Sequence, residues 1–152
     1  DGIRDYKVTG VQTCALPISR PMPQNVFTML MFSGQAEEAV RYYVESIPQT
    51  ELLEIKYFGP EQPCSEGKVQ GARLRLRGHE VRAFDSPVKH DFGFTPAVSL
   101  FIDCSDEQEF EHCFAALSAG GFTMMPPNNY GFSRRFGWCN DQFGVSWQVN
   151  LP

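Results

Sequence analysis

Apolar residues recur along this chain in two rhythms, one helical and one alternating, and the rhythms follow each other in the same order in both halves. Ala36, Ala39, Val40, Tyr43 and Ile47 fall at helical spacing, with Glu37, Glu38, Arg41 and Glu45 mostly on the other side. That pattern predicts an amphipathic helix over about residues 35–46, ended by Pro48. Phe110, Phe114 and Leu117 mark a second helical stripe. It opens on Ser105-Asp106-Glu107-Gln108, a capping box that sets acids at the positive end of the helix dipole, and Gly120-Gly121 closes it. Strand-like runs surround both helices. Residues 26–32 precede the first, and about 50–58, 68–77 and 80–85 follow it; residues 98–104 precede the second, and about 122–125, 132–139 and 145–150 follow it. A shift of 71 residues lays Phe110 on Ala39 and Phe114 on Tyr43, so the chain reads as an internal duplication of strand, helix and three strands. Periodicity alone also permits a ferredoxin-like arrangement, since each half opens strand-helix-strand.

The last two runs carry a more specific pattern. Trp138 and Trp147 flank the turn-forming stretch Asn140 to Gly144, and Val145, Trp147 and Val149 alternate with Ser146, Gln148 and Asn150, which makes a hairpin with a sided second strand. This hairpin resembles the closing element of the PhnB-like branch of the vicinal oxygen chelate superfamily, the group that includes glyoxalase I, extradiol dioxygenases and bleomycin-binding proteins. Met29 to Ala39 followed by Tyr42-Tyr43 resembles the opening strand and helix of that branch, and His90-Asp91-Phe92-Gly93-Phe94 with Ser99 resembles the start of its second half. The resemblance covers roughly Met22 to Leu151 and implies an α+β fold. In it, two βαβββ modules, about 22–88 and 94–151, form a cupped mixed eight-stranded sheet with the helices outside. Members of the branch have carried a ubiquinone methyltransferase label, but this chain has no glycine-rich turn after a strand of the kind that cradles a nucleoside cofactor.

Composition narrows the partners. Val8 to Ile18 reads like an in-frame translation of a sequencing-library adaptor, so residues 1–19 are expected to be a non-native leader and residues 20–152 a single domain. The formal charge of -5 over the 152 residues leaves no net positive charge to release counterions from a phosphate backbone, which argues against nucleic acid. No run is apolar and long enough for a signal peptide or a membrane span, so a cytoplasmic protein without a membrane partner is the expectation. Cys64, Cys104, Cys113 and Cys139 match neither a zinc ribbon nor a redox pair; Cys139 reads as a core or pocket-wall thiol.

In metal-dependent relatives such as glyoxalase I, His, Gln or Glu side chains from the first and last strands of each module aim into the cup. By motif register those positions fall on Thr28, Ala97 and Gln148, with the fourth near Phe84 or Asp85. A methyl group, a hydroxyl and a neutral amide make a poor first shell for a catalytic divalent ion, so no cofactor and no resident metal is the expectation. Gly71 also replaces a His that relatives of the branch frequently carry. His79 and His112 read as surface residues. His90 has two readings, a loop anchor or an acid–base group oriented by Asp85 or Asp91. Arg73, Arg75 and Arg77 share one face of a strand, there either to meet an anion or to pair with Glu51, Glu54 or Glu80. Aromatic residues abound in the second half. With them, the resemblance points to Thr28, Phe94, Ser99, Trp138 and Gln148 as the ligand-binding set and to binding or sequestration of a small molecule. The competing readings are an enzyme on a small metabolite, either a metal-dependent lyase or transferase or a metal-free catalyst using His90 and Asp85, and an interaction domain with no small ligand. A homodimer is expected, because a cupped sheet leaves strand edges that a second copy can cover.

Overall fold

The computed structural model describes residues 25–152; the adaptor-like segment and the expected boundary near residue 20 lie outside the described residues. β1 (Thr28–Phe32), α1 (Ala36–Ser46), β2 (Thr50–Tyr57), β3 (Val69–Leu76) and β4 (His79–Asp85) form the first module. β5 (Leu100–Asp103), α2 (Glu107–Ser118), β6 (Phe122–Asn128), β7 (Arg135–Asn140) and β8 (Ser146–Leu151) form the second. The strand orders are β1-β4-β3-β2 and β5-β8-β7-β6, with β1/β4 and β5/β8 parallel and the other pairs antiparallel. The fold is therefore α+β with two βαβββ modules, and the duplication is present strand for strand. The eight strands stand as two four-stranded mixed sheets, with β1 and β5 as facing edges that do not pair with each other.

Alternation along the strands decides which face meets a helix. In the first sheet Leu30, Phe32, Ala72, Leu74, Val81 and Ala83 turn toward α1, where Ala36, Ala39, Val40 and Tyr43 are buried. In the second, Ile102, Cys139, Trp147, Val149 and Leu151 turn toward α2. Gly137 is on this side as well, and a Cβ there would sit 2.5 Å from the Phe114 ring, so glycine is what lets α2 lie close against β7.

Both helix starts differ from the sequence expectation by a short distance. α2 begins one residue later than the Ser105 box: Asp106 is the cap, its carboxylate accepting from Glu109 N at 2.8 Å, and Glu109 reaches back to the Ser105 amide. At α1, Gln35 makes no side-chain cap, and the role passes to a distant carboxylate. Asp85, at the end of β4, accepts from the amides of Gly34 (2.7 Å) and Ala36 (3.0 Å) through one oxygen and from Val69 (3.0 Å) through the other. Near the second helix, β6 runs on through Pro126 and Pro127, which lie unpaired in the register shift between Met125 and Asn128 of an edge strand, where no ladder hydrogen bond needs their N–H groups.

One contiguous core joins the modules. The join is tightened by Asp141 in the β7–β8 turn, which is buried and accepts four hydrogen bonds: from Tyr43 of α1 (2.5 Å), from the Trp147 indole (2.8 Å) and from the amides of Phe143 and Val145. Burial, and then the neighbouring Asp141 charge, push the Tyr43 hydroxyl far above its ordinary pKa, so it stays a proton donor to the carboxylate.

Candidate functional site

Because β1 and β5 do not pair, a groove runs between the modules, and each wall is a strand with one free edge. Two adjoining cavities lie in it, of about 500 Å³ and about 300 Å³, and both are lined by Thr28, Ser99 and Leu100. Ile47 and Trp147, both core residues, floor the larger one. The smaller is lined by Leu30, Phe94, Val98 and Val145 together with Ser146. One end of the groove is closed by Arg77. It occupies the left-handed region in the β3–β4 turn (φ 51°), followed by Gly78 (φ 90°), and its guanidinium crosses to the carbonyl of Asp103 (2.7 Å) and pairs with Glu109. Near the other end, the Phe94 ring meets Phe32 edge-on at 5.1 Å.

Three of the five residues expected to bind a ligand gather on this groove: Thr28, Phe94 and Ser99. Trp138 reaches it indirectly. Its indole Nε1 donates to Ser146 Oγ at 2.9 Å, and Ser146 Oγ lies 2.7 Å from Ser99 Oγ. Gln148 stands apart, on the outer face of the second sheet beside Phe101 and Trp138, and lines neither cavity. Thr28 also differs in direction from its motif register. It is paired in register with Val81 on the face of Leu30 and Phe32, and Met29 takes the outer face instead. The buried alternation of Leu30 and Phe32 carries that parity in the sequence. His79 is exposed, as its sequence context implies, and it also lines the larger cavity and lies 2.8 Å from Thr28 Oγ1 through Nε2. Neither His79 nor Ser146 has a sequence signal of its own, since their partners are 51 and 47 residues away.

Of the two readings of His90, the contacts seen are those of the loop anchor. His90 bonds Ser86 Oγ (2.9 Å) and stacks on Phe92 at 4.9 Å, whereas both oxygens of Asp85 are spent on backbone amides. Asp85 is 1% exposed, and with three donors around it, it acts as a carboxylate strut between α1, β3 and β4. It also occupies the amides at the start of α1 that a ligand anion would otherwise use. His112 is exposed on α2, as its sequence context implies.

The residues present do not fit a resident divalent metal. Thr28 bonds His79, Ala97 has no side-chain donor atom, Gln148 lies on the outer face of the second sheet, and Asp85 already accepts from three backbone amides. Among the described residues, no group of three or more His, Cys, Asp or Glu side chains converges to hold an ion. Cys139 is an inert core thiol, pushed up to about 12 by burial and then by Asp141.

The arginine stripe divides. Arg73 and Arg82 both grip Glu80, at 2.7 and 2.8 Å, and Arg75 grips Glu51 at 2.7 Å, on the outer face of the first sheet. The Glu80 carboxyl is held below its usual range, first by Arg73 and then by Arg82. Arg77 leaves the stripe for the intermodule contact. The alternative of paired charges on neighbouring strands is the one this geometry satisfies.

Comparison with known proteins agrees with the topology. Residues 24–150 match the family model described as 3-demethylubiquinone-9 3-methyltransferase. A solved structure from Bacillus cereus, described as a putative 3-demethylubiquinone-9 3-methyltransferase, PhnB protein, is 43% identical with a TM-score of 0.81, covering 85% of this chain and 100% of that one. Protein YjdN of Escherichia coli is 25% identical, covering 80% of this chain and 91% of its own length. The fold alone is shared with a mutant of the fosfomycin resistance protein FosX from Listeria monocytogenes, 9% identical with a TM-score of 0.57 over 85% of this chain and 93% of that one; that protein was solved with Mn(II) and a dihydroxypropylphosphonic acid.

Proposed function

Given that this chain belongs to the PhnB-like 3-demethylubiquinone-9 3-methyltransferase family, which has the vicinal oxygen chelate fold, we propose that it binds a small molecule in the β1–β5 groove without a resident metal. The observation that carries this reading is the pair of adjoining cavities, with apolar walls and a few hydroxyl groups at their junction. Phe94, Leu30 and Leu100 take the apolar body of the ligand, and Thr28 and Ser99 orient it. In the acid–base alternative Asp85 is taken up by backbone amides and His90 bonds Ser86, and the lyase or transferase alternative lacks a converging ligand set among the described residues. Methyl transfer from a nucleoside cofactor finds no support at the β1–α1 turn, where Asp85 already holds the amides.

Protein purified without chelator and assayed for bound zinc, nickel, manganese and iron tests the metal-free part. Substoichiometric metal, and no rise in melting temperature when these ions are added, is the expected result; one tightly held ion per chain overturns it. A thermal-shift panel of aromatic antibiotics, phosphonates and small carboxylates tests the binding part, since a ligand that binds only the folded state raises apparent stability. A homodimer belongs to the same proposal. Phe101 (54% exposed) and Phe132 (64% exposed) lie against Phe136 on the outer side of the second sheet, and a second copy covering them accounts for that apolar surface. Light scattering at micromolar concentration checks it, and a monomer rules it out.

A further inference from the structure

Taking the groove as the binding site, we propose that Ser99 is a polarised hydrogen-bond donor into it, so that the ligand class is a compact apolar molecule presenting a carbonyl or ether oxygen. The polarity follows from the row Trp138–Ser146–Ser99. An indole N–H only donates, so at 2.9 Å the Ser146 oxygen must be the acceptor. Ser146 is buried, and its own proton needs an acceptor in turn. Its one other hydrogen-bond partner among the described residues is Ser99 Oγ, at 2.7 Å. Either oxygen can donate at that distance; the row runs Trp138 to Ser146 to Ser99 when the buried Ser146 proton takes this acceptor, and that is the arrangement we adopt, with the Ser99 proton left for the groove.

Ser99 is half-buried, lines both cavities, and has no second hydrogen-bond partner among the described residues. A hydroxyl that already accepts from a chain of donors is a stronger donor and a weaker acceptor, because each bond polarises the next. Across the groove the Thr28 hydroxyl already has His79 Nε2 as a partner, whereas Ser99 faces the junction of the two cavities with no partner beyond the row behind it. Around it Leu30, Phe94, Val98, Leu100 and Val145 supply apolar wall for the rest of the ligand. Trp138, on a different strand and outside both cavities, acts as a positioning residue for this proton.

The test compares 1-indanone, which has a carbonyl and no donor, with indane, which has the same skeleton and no polar atom. Each is titrated into ¹⁵N-labelled wild-type protein, Ser99→Ala, Ser146→Ala and Trp138→Phe, with amide shifts of groove residues as the readout and the rest of each spectrum as the check on folding. In wild type, indanone should bind about fivefold more tightly than indane, the size of one net hydrogen bond. Ser99→Ala should bring that ratio to about one while leaving indane binding in place. Ser146→Ala and Trp138→Phe, which retain Ser99 but break the row behind it, should each lower the ratio part of the way. Equal binding of the two probes in wild type, or a preference that survives Ser99→Ala, overturns the donor assignment and leaves the groove as a binding site. If neither probe shifts groove amides, the groove reading falls, and the ligand class with it.

Discussion

The two modules share one topology and one kind of helix-facing surface, yet their outer faces have almost nothing in common. The first sheet shows Arg73, Arg75 and Arg82 laced to Glu51 and Glu80, while the second shows Phe101, Phe136, Trp138 and, on the adjoining loop, Phe132. Duplication has kept what packing requires and released what it does not. A helix-facing residue touches a shared core and is constrained by volume, whereas an outer-face residue answers only to water, ligand or partner. The carboxylates show the same contrast. Asp85 ties three pieces of the first module together, whereas Asp141, in the second, reaches across to Tyr43 of the first. Stability within a module and cohesion between modules thus rest on different acids.

The strongest way to break this comparison is Asp141→Ala. It strands the Tyr43 hydroxyl, the Trp147 indole and two amides in the core, and should cost about 3–5 kcal/mol in urea unfolding at neutral pH. A loss near zero would mean that the modules cohere without this clasp.

A pair of glycines separates inner from outer face more finely. Gly137→Ala drives a methyl group into the Phe114 ring and should cost about 1–3 kcal/mol, whereas Gly71, on the outer face, has nothing within 4 Å of its would-be Cβ. Gly71→Ala should leave stability within about 0.5 kcal/mol of wild type or raise it, as relief of glycine's unfolded-state entropy allows. Equal costs at the two positions would show that the faces are not mechanically distinct.

The smallest effect belongs to the charged face. Glu80 has a folded-state pKa below its unfolded value because Arg73 and Arg82 stabilise the carboxylate. Its contribution to stability is therefore complete above the unfolded pKa and disappears as pH falls through the lower, folded value. In Glu80→Gln the decline of melting temperature below about pH 4.5 should be shallower than in wild type, and 1 M salt should shrink the difference because the pair is only half-buried. Identical pH profiles would remove Glu80 from the acid response.

The order of elements, the duplication and the inward stripes of the two helices and the last strand were legible in the chain, because helical and strand periods are local and apolar residues recur with them; the direction of Thr28 was not. The closing hairpin carried the fold family through Trp138 to Trp147. Boundaries were less legible where chemistry is shared between neighbours: Asp106 takes the cap that Ser105 also offers, and the β6 prolines are compatible with a strand because that strand is an edge whose register shifts at them.

The poverty of metal donors at Thr28, Ala97 and Gln148 was likewise a matter of residue type, readable without coordinates. What the sequence determined by itself was thus the order of elements, the helix stripes that face the core and the types of side chain available at each motif position. Only the tertiary structure decided that Asp85 is consumed by backbone amides, that His79 turns to Thr28, and that Ser146 links Trp138 to Ser99. The reason is range. Periodicity is written over a few neighbouring positions, but the partner that occupies a carboxylate or orients a hydroxyl lies 51, 47 or, for Tyr43 and Asp141, 98 residues away, and only packing two modules together brings it within 3 Å.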